Sequence, residues 1–110
     1  MANKFHAKRI KIDNIWFASQ REGAEYQSLK WRQKAKEIFG LEVHPKIRLT
    51  VEGQLVGTMI PDFAFFENGK NGSKRVYLEV KSQPTRTPLY RWKVRHLKAQ
   101  YPHIDLREVF

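Results

Sequence analysis

A chain of 110 residues, 41% of them hydrophobic, supports one domain over residues 1–110, and no apolar run approaches the roughly 18 residues that cross a bilayer. Cysteine is absent, which excludes disulfides, thiolate nucleophiles and cysteine-ligated zinc together. A formal net charge of +10 points to a polyanionic partner.

The N-terminal Met1-Ala2-Asn3-Lys4-Phe5-His6 lacks the apolar stretch of a secretory leader, so the expected compartment is the cytoplasm. Residues 8–17 read as a short hairpin, with Ile10 and Ile12 before an Asp13-Asn14 turn and Ile15-Trp16-Phe17 after it. Its Lys8, Arg9 and Lys11 form a small basic cluster suited to phosphate contact. Ser19-Gln20-Arg21-Glu22 has the form of a capping box and opens a helix expected to run to about Phe39, with Gly40 as its stop. Glu22, Tyr26 and Leu29 fall on one side of that helix and Ala24, Trp31, Ala35 and Ile38 on nearly the other. Two apolar sides predict a helix sandwiched between layers, the second of which a homodimer partner would supply.

A strand is expected over residues 43–51, turned near Glu52-Gly53-Gln54. Two more follow over residues 58–67 and 74–81, joined by the turn residues Asn68 to Ser73. A second helix starts at Thr87-Pro88, threonine as N-cap and proline at the first helical position, and ends near Tyr101-Pro102. Its Tyr90, Val94, Leu97 and Tyr101 make an apolar stripe that must face the sheet, while Arg91, Arg95 and Lys98 fall opposite. No acid occurs from Thr85 to Tyr101, so this basic face is expected to contact phosphate without reading sequence. Residues 104–109 form a last strand. The order is α-β-β-β-α-β, an α/β (α+β) fold with a mixed sheet flanked by helices and a short N-terminal hairpin.

The excess positive charge lies in the flanks. Between residues 49 and 81, Lys70, Lys74, Arg75 and Lys81 balance Glu52, Asp62, Glu67 and Glu79. Within that neutral centre, strand alternation sets Glu79 and Lys81 on one face, about 6.5–7 Å apart. Centring the turn between Lys70 and Asn71 pairs Phe63 with Leu78 and Phe65 with Val76, and the same register sets Asp62 opposite Glu79. Like charges so paired destabilise a sheet unless something compensates. A divalent cation does so, and carboxylate oxygens suit Mg²⁺ or Mn²⁺. Lys81 is a second compensator, positioned to orient an attacking water. A solvated hairpin in which Lys81 merely pairs with Glu79 is the plain alternative. His6, His44, His96 and His103 show no metal-ligand spacing and read as ordinary histidines.

Pro61-Asp62 followed by Glu79-Val80-Lys81 resembles the signature of the PD-(D/E)XK nuclease superfamily, whose restriction-endonuclease-like core has the α-β-β-β-α-β order. With the stretch from Trp16 to Tyr26, the chain is similar to short phage-encoded endonucleases related to phage endonuclease I and Holliday-junction resolvases. The resemblance implies a Mg²⁺- or Mn²⁺-dependent endodeoxyribonuclease of DNA recombination, structure-selective for branched DNA and working in the host cytoplasm. It implies Asp62, Glu79, the Val80 carbonyl and a helical glutamate, Glu22, as metal ligands, with Lys81 positioning the nucleophile. Glu22 as a helix cap alone, with Glu25 substituting one turn on, is the competing assignment. A non-catalytic basic nucleic-acid-binding domain of the same fold is the competing function.

Overall fold

In the computed structural model, which describes residues 8–81 and 87–110, the chain is α+β with two helices and eight strands. The N-terminal Met1 to His6, expected to carry no leader, and Thr85 lie outside the described residues. No helix among the described residues is long and apolar enough to cross a membrane.

The expected N-terminal hairpin is present as β1 (Ile10–Ile12) and β2 (Ile15–Phe17), with Ile12 paired to Ile15. Asp13 and Asn14 both sit at positive φ, 52° and 66°, the left-handed pair that matches the twist of a two-residue turn. The hairpin lies against α1 (Gln20–Lys34) at Gly23, where a β-carbon would come 2.7 Å from the Ile10 methyl. Helix α1 therefore needs a residue without a side chain at this crossing.

Helix α1 stops at Lys34, five residues before the expected end. The Lys36 N–H donates to the Gln33 carbonyl and the Glu37 N–H to the Arg32 carbonyl, with Lys36 left-handed at φ 65°. This is a Schellman closure in which lysine takes the position that glycine usually fills. Gly40, the expected stop, lies instead in β3 (Ile38–Val43). Its φ of 65° falls where the pairing of β3 with β6 shifts register between Phe39 and Glu42, so it serves a bulge. Ile38 consequently belongs to the sheet and not to the helix. On the second side of α1, Ala24, Trp31 and Ala35 stay exposed within this chain.

The expected strand over 43–51 is split. Its first residue ends β3, and the remainder forms β4 (Ile47–Val51), hairpinned through Glu52-Gly53 to β5 (Gln54–Met59). The expected strand over 58–67 likewise divides, between β5 and β6 (Phe63–Gly69). A non-strand segment at Ile60-Pro61-Asp62 separates them, since proline lacks the N–H that a continuing ladder requires. β6 turns into β7 (Gly72–Val80) in the anticipated register, Phe63 opposite Leu78 and Phe65 opposite Val76. After α2 (Pro88–Gln100), β8 (Asp105–Val109) adds parallel to β7. The four-stranded sheet runs β3-β6-β7-β8, so its order with the helices is α-β-β-β-α-β, and β4–β5 is an insertion.

Side chains alternate across this sheet. Phe63, Phe65, Val76 and Leu78 join Phe17, Tyr26, Leu29 and Ile38 in a core under α1 and the first hairpin. Tyr77 and Leu106, on the opposite face, pack with Ile47, Leu49, Met59 and Leu97 beneath α2 and β4–β5. The expected stripe Tyr90, Val94, Leu97 and Tyr101 is the side of α2 that enters this second core. Burying one such phenylalanine or leucine contributes about 1.5–3 kcal/mol, so the sheet is held from both faces.

Candidate metal centre

Three carboxylates from three separate elements converge at the end of β6 and β7. Asp62 immediately precedes β6 and is 9% exposed. Glu79 is the penultimate residue of β7, in the register that faces Asp62, and close enough to affect its titration. Glu22 arrives from the first turn of α1, in the other layer, and brings a carboxylate oxygen within 4.8 Å of Asp62. The tightest group includes His44, between β3 and β4, and not Glu79: one ligand atom each of Glu22, His44 and Asp62 lie within 4.8 Å of one another. Glu25 is not part of this group.

Backbone contacts fix the acids. Asp62 Oδ2 accepts the Val80 N–H at 2.7 Å, and the Asp62 carbonyl accepts the His44 N–H at 2.9 Å. Val80, expected as a carbonyl ligand, thus meets Asp62 through its amide. Glu22 both caps and converges. Ser19 Oγ accepts the Glu22 N–H at 3.2 Å, while Glu22 Oε2 reaches past Ser19 to accept the Ala18 N–H at 3.0 Å. The competing assignments for Glu22 are therefore compatible, because one carboxylate touches both the helix start and Asp62.

All three acids are pushed upward. Burial raises Glu22 most, and the neighbouring Asp62 adds to it, bringing it from 4.5 to about 7 against the pull of the Ala18 amide and His44. Burial also raises Asp62, partly offset by its hydrogen bonds to Glu22 and Val80 and reinforced by Glu79. Glu79 is raised by burial with Glu22 and Glu108 nearby, while Asp62 and Lys81 draw it down. Carboxylates crowded this way share protons or take a cation. The donor set, hard oxygens with one imidazole, fits Mg²⁺ or Mn²⁺ in coordinating chemistry.

Lys81 follows β7, anchored by its N–H to the Val109 carbonyl at 2.7 Å. Its ammonium sits 3.5 Å from the centroid of the Tyr90 ring, whose hydroxyl donates to Glu108 Oε2 at 3.1 Å. Tyr90 doubles as a core residue and as the platform for Lys81. The sequence marked it only as part of the apolar stripe.

The basic residues are exposed on both flanks. Lys8, Arg9 and Lys11 lie on the first hairpin, and Arg91, Arg95 and Lys98 on the outer side of α2. Arg91 and Arg95 line a cavity of about 230 Å³ with Tyr90, Val94 and Glu108, which joins the basic helix face to the Lys81 platform. Trp92 and His96 do not face solvent freely: Trp92 packs over Gly57, and His96 Nε2 is 3.0 Å from the Thr50 carbonyl. His44 was the residue that sequence spacing missed. Its signal lies in the backbone, a left-handed φ of 53° before Pro45, which no linear spacing reports.

Residues 2–110 match the family described as "Protein of unknown function (DUF1064)". No curated protein and no solved structure matches the chain.

Proposed function

The chain belongs to the DUF1064 family, and from its site we propose that it is a metal-dependent DNA endonuclease of the PD-(D/E)XK kind, a phosphodiester hydrolase. One observation carries this reading: Asp62, Glu79 and Glu22 are gathered from separate elements and all raised by burial and mutual proximity, with Lys81 two residues after Glu79. A fold gains nothing in stability from assembling three half-buried acids.

Asp62, Glu79 and Glu22, with His44 beside them, would hold Mg²⁺ or Mn²⁺. When bound, the cation would supply Lewis-acid activation of water and neutralise charge at the phosphate. Lys81 shares the Glu79 face, and its ammonium can donate to the attacking water or to a phosphate oxygen. Leaving the Tyr90 ring for that task would cost it one cation–π contact, worth about 0.5–2 kcal/mol. Arg91, Arg95, Lys98, Lys8, Arg9 and Lys11 would hold the backbone on both flanks, which gives salt-dependent binding with little sequence preference. Action on branched DNA, in the cytoplasm of a phage host and through a homodimer built on the exposed side of α1, completes the proposal. A monomer mass by light scattering at micromolar concentration would remove its dimeric part.

The test is direct. The protein is incubated with a labelled four-way junction, linear duplex and single strand, in Mg²⁺, Mn²⁺ or EDTA. Metal-dependent cutting that is lost in Asp62→Ala and Lys81→Ala is expected. Tight binding without cutting in either metal would overturn the nuclease and leave the non-catalytic binding domain.

A further inference from the structure

All three tryptophans of the chain are exposed, Trp16 at 52%, Trp31 at 69% and Trp92 at 44%. Tryptophan is among the most buried residues on average, so three exposed indoles in one small domain require a reason. Trp92 has a structural one in its packing over Gly57. Trp31 has a single cation, Lys34, one turn along its helix at 5.3 Å. Trp16 differs from both.

The first hairpin divides its side chains cleanly. Ile10, Ile12, Ile15 and Phe17 turn inward to the core. Arg9, Lys11 and Trp16 turn outward, with Lys11 directly across the ladder from Trp16. The Arg9 guanidinium lies 4.7 Å from the indole centroid and the Lys11 ammonium 5.6 Å. Both cations lie over the half-exposed indole, so an unpaired base stacks on whatever surface they leave open or by displacing one of them, while its phosphate keeps the charge contact. A fully paired duplex buries its base faces and offers this ring only phosphate.

In sequence the platform is close to an amide that one of the acids holds. Two residues after Trp16, about 6.6 Å along an extended chain, comes Ala18, whose amide is held by Glu22. We propose that Trp16, with Arg9 and Lys11, stacks an unpaired base of single-stranded or frayed nucleic acid on the hairpin that leads into α1 and Glu22. This rests on the nucleic-acid-binding half of the preceding reading but not on cleavage.

Binding in EDTA tests it without turnover. Fluorescence anisotropy is read with a labelled fifteen-nucleotide thymidine strand, a blunt hairpin duplex, and heparin, a polyanion without bases, for wild type, Trp16→Ala, Trp16→Tyr and Trp31→Ala. Thermal unfolding verifies that each variant is folded. Loss of one stacked base should weaken single-strand binding roughly tenfold in Trp16→Ala. The same variant should change duplex and heparin affinity less than about threefold, with recovery in Trp16→Tyr and none of the loss in Trp31→Ala. An equal loss for single strand and heparin, no loss for single strand, or the same loss in Trp31→Ala would each overturn the platform. Single-strand affinity that depends on Trp16 in a protein that never cuts would leave the platform standing and sink the nuclease.

Discussion

The central sheet carries acids at both ends, and the two ends treat them oppositely. At the far end of β6, Glu67 receives a two-pronged contact from Arg107 at 2.8 and 2.9 Å, while Arg107 also holds Asp105 at 2.9 Å. Lys74 adds a 3.0 Å bridge to Asp105, and Arg32 from α1 lies 3.5 Å from Glu67. Glu67 and Asp105 are accordingly held below their usual range, Glu67 chiefly by Arg107 and Asp105, against its burial, by Lys74 and Arg107. At the near end, Asp62, Glu79 and Glu22 are raised instead. Among the described residues, guanidinium groups bridge the far acids, and none forms an ion pair with Asp62, Glu79 or Glu22. Paired acids brace the sheet; of the described cations only Lys81 and His44 draw the crowded acids down, and burial outweighs both.

Substitution should separate the two ends most sharply. Asp62→Ala or Glu79→Ala is expected to lower metal-dependent cleavage by roughly 10³-fold or more. Glu79→Ala should leave thermal stability intact or higher because it relieves repulsion, while in Asp62→Ala that gain is offset by the Val80 N–H left without its acceptor. A cleavage rate within tenfold of wild type would erase the distinction. At the other end, Arg107→Ala should cost about 1–2 kcal/mol by leaving two carboxylates short of a partner, a fall in Tm of roughly 5–10 °C, with the metal affinity of the near end unchanged by calorimetry.

pH distinguishes the ends more subtly. The folded form holds a proton on Glu22 up to about 7, whereas the unfolded chain releases it near 4.5. The native state therefore binds more protons between those values, and metal-free stability should fall as pH rises through that window. Glu22→Gln should remove this fall and stabilise the metal-free protein at pH 8 by about 1 kcal/mol, a figure reduced for partial exposure. The Glu67 and Asp105 end predicts the reverse slope, with stability lost as pH drops below the ordinary carboxylate range. Thermal unfolding in EDTA from pH 3 to 8 would resolve both limbs. The smallest expected effect concerns the grip: Arg91→Ala with Arg95→Ala should lower the slope of log binding constant against log salt by about 1 per residue, with no dependence on DNA sequence.

Much of the near end was legible in the sequence because two patterns had to agree there. Phe63, Phe65, Val76 and Leu78 fix the register of β6 and β7, and that register, carried one pair further, sets Asp62 opposite Glu79. Helix α2 was equally readable, since Thr87 and Pro88 cap it and one apolar stripe faces one layer. The end of α1 was not. A left-handed lysine closes it, a conformation that composition does not announce, and Gly40 drew attention to itself while serving a bulge. Losing that boundary hid β3, the strand whose exit carries His44 to the acids. The sequence shows residues that suit a place; it does not show turns that bring unlike segments together.

Glu22 links two things that are normally measured separately. Its Oε2 is the acceptor for the Ala18 amide, so the charge on that carboxylate acts directly on one backbone proton. The Ala18 resonance in a nitrogen–proton correlation spectrum is thus a built-in indicator dye. It should move with a midpoint near pH 7 in the metal-free protein and lose that inflection in Glu22→Gln. A single peak would then report, without substrate or label, whether the acid beneath it is carrying a proton.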